Sequence, residues 1–323
     1  RVAEMRAAPA GRHGGEPARG HRHAIARTGA IPFVERHERR RLSVEGENRD
    51  LIRGTGGAQD SFNLLARGGL PAPVGNAADA RFLAPIQRPA NVICAGSNYY
   101  DHLAKDFGIT SFDKAANDIL YFTKQAGSLV GPGKTVRYPS QSVAFDWEIE
   151  LVVVIGRTGR RIPLADAMAH VAGYTIGLDL TARDLQFNKR QRRQFDLFGG
   201  KGFDDSAPVG PKIVPGRFVD PDDLALKLRV NGETKQDSHT REMIWTVPEL
   251  IADVSQHVTL RPGDLLFTGS PAGVGHASGT YLHVGDRIEA EIGDLGTLGV
   301  EIVEDPDSHR VWNRQQLLAA EQG

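Results

Sequence analysis

The stretch that most constrains this chain is a carboxylate pair at the mouth of an apolar run: Asp146-Trp147-Glu148-Ile149-Glu150-Leu151-Val152-Val153-Val154-Ile155-Gly156. A strand repeats every two residues, so Glu148 and Glu150 leave one face together. The run beyond them is apolar on both faces, as in a strand covered on both sides. A glutamate pair buried at its start is costly unless something neutralises it. A third carboxylate, Asp179, follows another apolar run in Gly177-Leu178-Asp179-Leu180-Thr181. Together the three make an all-oxygen set suited to one hard divalent cation, Mg²⁺ or Mn²⁺. The competing reading is a solvated acidic edge, and burial separates the two.

Charge and composition narrow the class of partner. The 323 residues carry 39 basic and 40 acidic side chains, a net charge of −1. No overall field therefore favours nucleic acid or an anionic membrane, and a small-molecule ligand is expected. The lone cysteine, Cys94, excludes an intrachain disulfide framework and a multi-cysteine zinc site, and agrees with a reducing cytoplasm, the expected location. No apolar run approaches the roughly 20 residues of a membrane helix.

Residues 1–45 are rich in arginine, glycine and proline and are expected to be poorly ordered, lacking the apolar core of a secretory signal. A small module is expected over 46–89, a catalytic body over 90–305 and a polar tail over 306–323, with a helix at Arg314–Glu321. Within the body, strands are expected at Asn91–Ala95, Ile119–Lys124, Ile149–Ile155, Leu224–Val230, Asp264–Thr268, Arg287–Ile292 and Leu298–Val303. Helices are expected at Tyr99–Phe107, Pro163–Val171 and Val247–Val258. Strands cluster without alternating with helices, which predicts an α+β class with a sandwiched or rolled mixed sheet.

Several motifs admit two readings. Ser128-Leu129-Val130-Gly131-Pro132-Gly133-Lys134-Thr135 has the end of a phosphate loop, but Ser128 stands where its first glycine belongs and an extended segment follows, so a turn into a strand is favoured. Gly269-Ser270-Pro271-Ala272-Gly273-Val274-Gly275 follows a strand, and its amides with the Ser270 hydroxyl suit a substrate carboxylate or oxyanion; a plain turn explains the glycines equally. Arg183 and Gln186 share a face if their segment is helical, and the basic run Lys189-Arg190-Gln191-Arg192-Arg193 is assigned to solvent. His102, on a short element, is the candidate general base.

Taken in order, these motifs resemble the fumarylacetoacetate hydrolase family over about Asn91 to Val303: Gly96-Ser97-Asn98-Tyr99 with His102, Phe122-Thr123-Lys124, Asp146-Trp147-Glu148-Ile149-Glu150, Asp179 with Arg183 and Gln186, Gly200-Lys201-Gly202-Phe203-Asp204, Pro208-Val209-Gly210-Pro211, Val230-Asn231-Gly232-Glu233, and Pro262-Gly263-Asp264 running on to Gly275. The resemblance implies a dimeric β-sandwich or β-roll enzyme holding Mg²⁺ or Mn²⁺ on Glu148, Glu150 and Asp179. It also implies a keto acid substrate of the acylpyruvate type, met in aromatic catabolism and cleaved at a carbon–carbon bond. His102 would activate water, Lys201 and Lys124 would supply positive charge to substrate oxygens, and Arg183 and Gln186 would orient the substrate. Thr268, Gly269 and Ser270 would bind its carboxylate or oxyanion.

Two positions depart from the family pattern. Many small members have glutamate three residues after the histidine, where this chain has Lys105; Asp106, four residues on and on the same helical face, is the expected substitute. Ser270 stands where threonine is more usual. The loss of that glutamate lends weight to two reactions without water on the same metal site, decarboxylation of oxaloacetate or a related β-keto acid and keto–enol isomerisation. A ligand-binding member without catalysis is the third expectation.

Overall fold

Ile149–Ile155 is a strand in which every residue is buried, as its two-sided apolar pattern predicts. The computed structural model describes residues 34–35 and 81–310, apart from 190, 191 and 193. The expectations for 1–45, for most of 46–89, for the Arg314–Glu321 helix and for part of the basic run lie outside the described residues.

In chain order the strands are β1 (Val34–Glu35), β2 (Arg81–Phe82), β3 (Val92–Gly96), β4 (Leu120–Thr123), β5 (Leu129–Val130), β6 (Thr135–Arg137), β7 (Phe145–Asp146), β8 (Ile149–Ile155), β9 (Val171–Leu178), β10 (Thr181–Ala182), β11 (Ala207–Pro215), β12 (Ala225–Val230), β13 (Glu233–His239), β14 (Leu265–Phe267), β15 (Arg287–Ile292) and β16 (Thr297–Val303). The α-helices are α1 (Tyr100–Phe107), α2 (Arg183–Gln186), α3 (Leu197–Lys201), α4 (Val247–His257) and α5 (Gly275–Ser278). None among the described residues is long and apolar enough to cross a membrane.

Seven strands form one sheet in the order β4-β3-β14-β8-β9-β11-β5, and five form another in the order β13-β12-β15-β16-β6. The larger sheet is mixed: β14 runs parallel to β3 and antiparallel to β8, so Phe267 lies between Cys94 and Val152. Ile93, Leu151, Val153, Tyr174 and Ile176 of this sheet share a core with Leu226, Leu228, Ile288, Ala290, Leu298 and Val300 of the other. Side chains of opposite parity, Cys94, Val152, Val154 and Phe267, build a second core on the far face. Each fully buried aliphatic or aromatic side chain contributes roughly 1.5–3 kcal/mol through transfer from water. Burial of β8 on both faces therefore makes it the stiff element from which the site is built. This is the expected α+β sandwich.

The expected strands in the body are present to within a residue or two, and α1 and α4 occupy their expected places. The Ser128–Thr135 segment is β5, a turn and the start of β6, not a phosphate loop. Pro163–Val171 differs from the helix expected: Leu164–His170 is wound in 3₁₀ turns, and Val171 already begins β9. Strands β9, β11 and β13 were not signalled by sequence. Gly173 and Gly177 interrupt β9, three prolines interrupt β11, and β13 is polar at almost every position, so none shows the period-two apolar pattern.

Candidate metal and acid–base site

The pairing of β8 with β9 ends at Ile149 opposite Leu178, and the Asp179 N–H donates to the Glu148 carbonyl at 2.9 Å. This register sets Asp179 directly beside the two glutamates. One oxygen from each of Glu148, Glu150 and Asp179 lies within 4.8 Å of the others, and all three residues are buried. The acidic-edge reading is thereby excluded. Lys201 Nζ donates to Asp179 Oδ2 at 2.5 Å and to Glu148. It reaches them because α3 lies close on α2: a side chain at Gly200 would meet Gln186 Cβ at 2.4 Å, so only glycine admits this approach. Arg183 donates from Nε to Asp146 at 2.8 Å, from Nη1 to Gln186 Oε1 at 3.0 Å, and from Nη2 to Glu148.

The charges in this cluster do not balance. Four buried carboxylates, Asp146, Glu148, Glu150 and Asp179, face three buried cations, Lys124, Arg183 and Lys201. Burial works against ionisation of Glu148, but Arg183 and Lys201 beside it outweigh burial and hold its carboxyl below the usual range. Glu150 goes the other way: burial, then the nearby Asp179 and Glu148, push it well above that range. Among the described residues no cation forms an ion pair with Glu150, whose Oε2 accepts only the Gly269 N–H, at 2.8 Å. Asp179 Oδ1 is buried without a hydrogen-bond donor; the Lys124 ammonium is 2.7 Å away but poorly angled, an ion pair only. One carboxyl in excess of the cations and an Asp179 oxygen without a hydrogen-bond donor, in an all-oxygen cluster, fit a hard divalent cation.

On α1, His102 Nδ1 is 2.6 Å from Asp106 Oδ2, and both side chains are buried. The helix stops just beyond, at Gly108, whose φ of 71° is the left-handed cap. The expected pairing of His102 with Asp106 is therefore present. Lys105, by contrast, has a side chain 68% exposed that reaches only toward Asp101, at 3.9 Å.

The Gly269–Gly275 loop has a use that local sequence does not show. Its amides donate to the chain's own acids: Gly269 to Glu150 at 2.8 Å, Ala272 to Asp101 at 3.3 Å, Gly273 to Asp106 at 3.0 Å and Gly275 to Asp146 at 2.7 Å. The next amide, from His276, also donates to Asp146, at 2.9 Å. The loop thus positions carboxylates. The Thr268 hydroxyl donates into the sheet, to Leu151 O, while Ser270 Oγ accepts from Gln236 Nε2. Lys124, expected at substrate oxygens, is turned inward: Nζ donates to the carbonyls of Leu180, Lys201 and Ser206 and to Ser206 Oγ, besides pairing with Asp179. Two buried organisers were not anticipated. Asp146 ties Arg183 to α5, and Gln236 ties β13 to β8; the first could have been found as an unsolvated acid in the same strand motif, the second gave no signal.

The two packed sheets build a buried three-carboxylate cluster that could hold a metal ion, with Lys201 paired to two of its members, and α1 carries a histidine–aspartate pair. The chain belongs to the fumarylacetoacetate hydrolase family, for residues 91–303 match the fumarylacetoacetate (FAA) hydrolase C-terminal family. It is 43% identical over 244 residues, 74% of this chain and 75% of the relative, to the Homo sapiens protein named oxaloacetate tautomerase FAHD2A, mitochondrial. Fumarylpyruvate hydrolase from Pseudomonas aeruginosa, solved in complex with Mn²⁺ and pyruvate, superposes with a TM-score of 0.60 at 38% identity, over 72% of this chain and 94% of that one. The 2-hydroxyhepta-2,4-diene-1,7-dioate isomerase from Mycobacterium marinum does so with a TM-score of 0.60 at 37% identity, over 73% and 84%.

Proposed function

We propose that the chain catalyses keto–enol tautomerisation of an oxaloacetate-like 2-keto acid in a divalent-cation-dependent reaction. The observation that carries this reading is the commitment of five amides between Gly269 and His276 to Glu150, Asp101, Asp106 and Asp146. Hydrolysis passes through a tetrahedral oxyanion that preorganised donors stabilise, and most of this loop's amides serve the chain's own carboxylates instead. Tautomerisation needs a base for the C3 proton and positive charge at the C2 oxygen. The name of the 43% identical human relative supports the same reaction.

Glu148, Glu150 and Asp179 would hold the cation, which when bound supplies Lewis-acid polarisation of the C2 carbonyl. Asp106 fixes the proton of His102 on Nδ1, leaving Nε2 to take the C3 proton and return it to the enolate oxygen. Lys201 adds positive charge beside that oxygen. Arg183 holds Gln186 by Oε1, which leaves the Gln186 amide nitrogen as a donor to the substrate carboxylate.

The second reading is cleavage of an acylpyruvate, favoured by the same His102–Asp106 pair, which is equally fitted to activate water, and by the likeness to fumarylpyruvate hydrolase. A panel of oxaloacetate and acylpyruvates, followed in the ultraviolet with Mg²⁺, with Mn²⁺ and after chelation, separates the readings. Chelator-sensitive enol–keto conversion of oxaloacetate without pyruvate is the expected result. Pyruvate and a carboxylic acid from an acylpyruvate would transfer the assignment to the hydrolase, and pyruvate with CO₂ from oxaloacetate to a decarboxylase.

A further inference from the structure

The Val230-Asn231-Gly232-Glu233 segment lies in the smaller sheet and touches none of the reacting groups, yet it controls a buried residue beside them. Asn231 and Gly232 have φ of 52° and 81°, the two positive values of a tight hairpin turn from β12 into β13. The turn pairs Val230 with Glu233 and Arg229 with Thr234. Regular pairing would next set Lys235 opposite Leu228 and send Gln236 to the other face. Leu228 is instead opposite Gln236, so Lys235 is the extra residue of a β-bulge. A bulge re-aims the side chain that follows it, and Gln236, 1% exposed, is the one buried residue of an otherwise polar strand.

The amide of Gln236 is fully used. Oε1 accepts from the Ile149 N–H at 3.0 Å, and Nε2 donates to Ser270 Oγ and to Pro271 O, both at 2.9 Å. Ile149 is the residue between Glu148 and Glu150, and Ser270 and Pro271 follow Gly269, whose amide holds Glu150. The bulge also presses on the same loop: a Cβ at Gly273, where φ is 99°, would lie 2.2 Å from the Lys235 carbonyl oxygen. One side chain of the smaller sheet thus ties the first residue of β8, which lies between two of the carboxylates, to the loop that orients one of them. We infer that Gln236 is a positioning residue for the cation site, fixing Glu148 and Glu150 through β8 and the Gly269–Gly275 loop without touching substrate. This rests on the metal-dependent reading above. Outer hydrogen-bonding partners of metal ligands typically govern affinity by about 10–100-fold.

The test is Mn²⁺ binding to the full chain, followed by electron paramagnetic resonance of the free ion, beside thermal unfolding. Gln236→Leu is expected to raise the Mn²⁺ Kd by about 10–100-fold. Gln236→Glu, which keeps the acceptor for Ile149 and loses donors to Ser270 and Pro271, is expected to raise it less. Ser255→Ala is the matched control: Ser255 Oγ is as deeply buried and accepts the Ile162 N–H at 2.9 Å, away from the site. It should lower Tm and leave the Kd unchanged. A Gln236→Leu protein with wild-type Kd, or with a rise no larger than that of Ser255→Ala, overturns the inference. Should Gln236→Leu fail to fold, an unchanged Kd in Gln236→Glu does the same. A wild-type chain that binds no Mn²⁺ overturns the metal reading and this one together, whereas tight wild-type binding that survives both Gln236 substitutions removes only the clamp.

Discussion

In the proposed reaction His102 serves as a base only while its ring is held, and the group that holds it is Asp106, one helical turn away at 2.6 Å. Asp106→Asn should lower kcat on the order of 10²-fold, the scale of general acid–base assistance, comparably to His102→Ala, while Lys105→Ala, in solvent, leaves kcat unchanged. Steady-state turnover of the three variants checks this, and near-wild-type turnover in Asp106→Asn would remove Asp106 from the mechanism. Lys124 belongs to stability. With Asp179 and four oxygen acceptors around its ammonium, Lys124→Met strips one of the two cations paired with a buried acid, Lys201 remaining, and should cost about 3 kcal/mol in denaturant unfolding, the low end for breaking a buried pair. The spacing of Asp106 from His102 was legible because helical geometry makes residues four apart neighbours. The inward turn of Lys124 was not, because its acceptors are backbone carbonyls supplied by segments distant in sequence.

Among the elements, α4 shows how a legible helix acquires a role that its own sequence does not state. Its start is announced by Thr246 and Pro248, and Glu249 completes a capping box with Thr246. The structure adds the segment after α1: Lys114 Nζ donates to both Glu249 oxygens at 2.7 Å, and Phe112 meets Trp245 edge to face at 5.7 Å. Partial burial acts to raise the Glu249 pKa, but bonding to Lys114 and Thr246 prevails and lowers it from 4.5. A carboxyl whose pKa is lower in the folded than in the unfolded chain stabilises the fold fully above its unfolded value, and that stabilisation fades as pH falls through the folded value. Lys114→Ala should therefore reduce stability near neutrality and flatten its decline on the acid side of pH 4.5. Urea unfolding at stepped pH measures the slope, and a slope equal to wild type would rule out a stabilising Lys114–Glu249 pair. Strands such as β13 escaped sequence reading because their pattern is set by a bulge and by a partner sheet, neither of which leaves an apolar period.

At the scale of the whole molecule, the sandwich was legible from clustered strands, but the meeting of β3 with β14, and of β8 with Gln236, joins segments far apart in the chain that no local pattern links. Those meetings bring four acids and three bases into one dry region, and the acid without a cation is Glu150. A buried carboxyl without a counter-charge is costly whether it stays ionised or takes up the proton that its raised pKa favours, so the metal-free fold is held together against its own site. Glu150→Gln removes that cost while keeping a carbonyl oxygen to accept the Gly269 N–H. Without metal, it should therefore unfold at a higher temperature than wild type. Adding Mn²⁺ should reverse the ranking, because an ion that binds only the folded chain adds about 2.7 kcal/mol at a concentration of 100 Kd, and the variant lacks the ligand that brings it. Thermal unfolding of both proteins with chelator and with Mn²⁺ reads the crossing directly. If Glu150→Gln were less stable than wild type in chelator, the carboxylate would be at ease in its pocket, and the surplus charge would not be what draws the cation in.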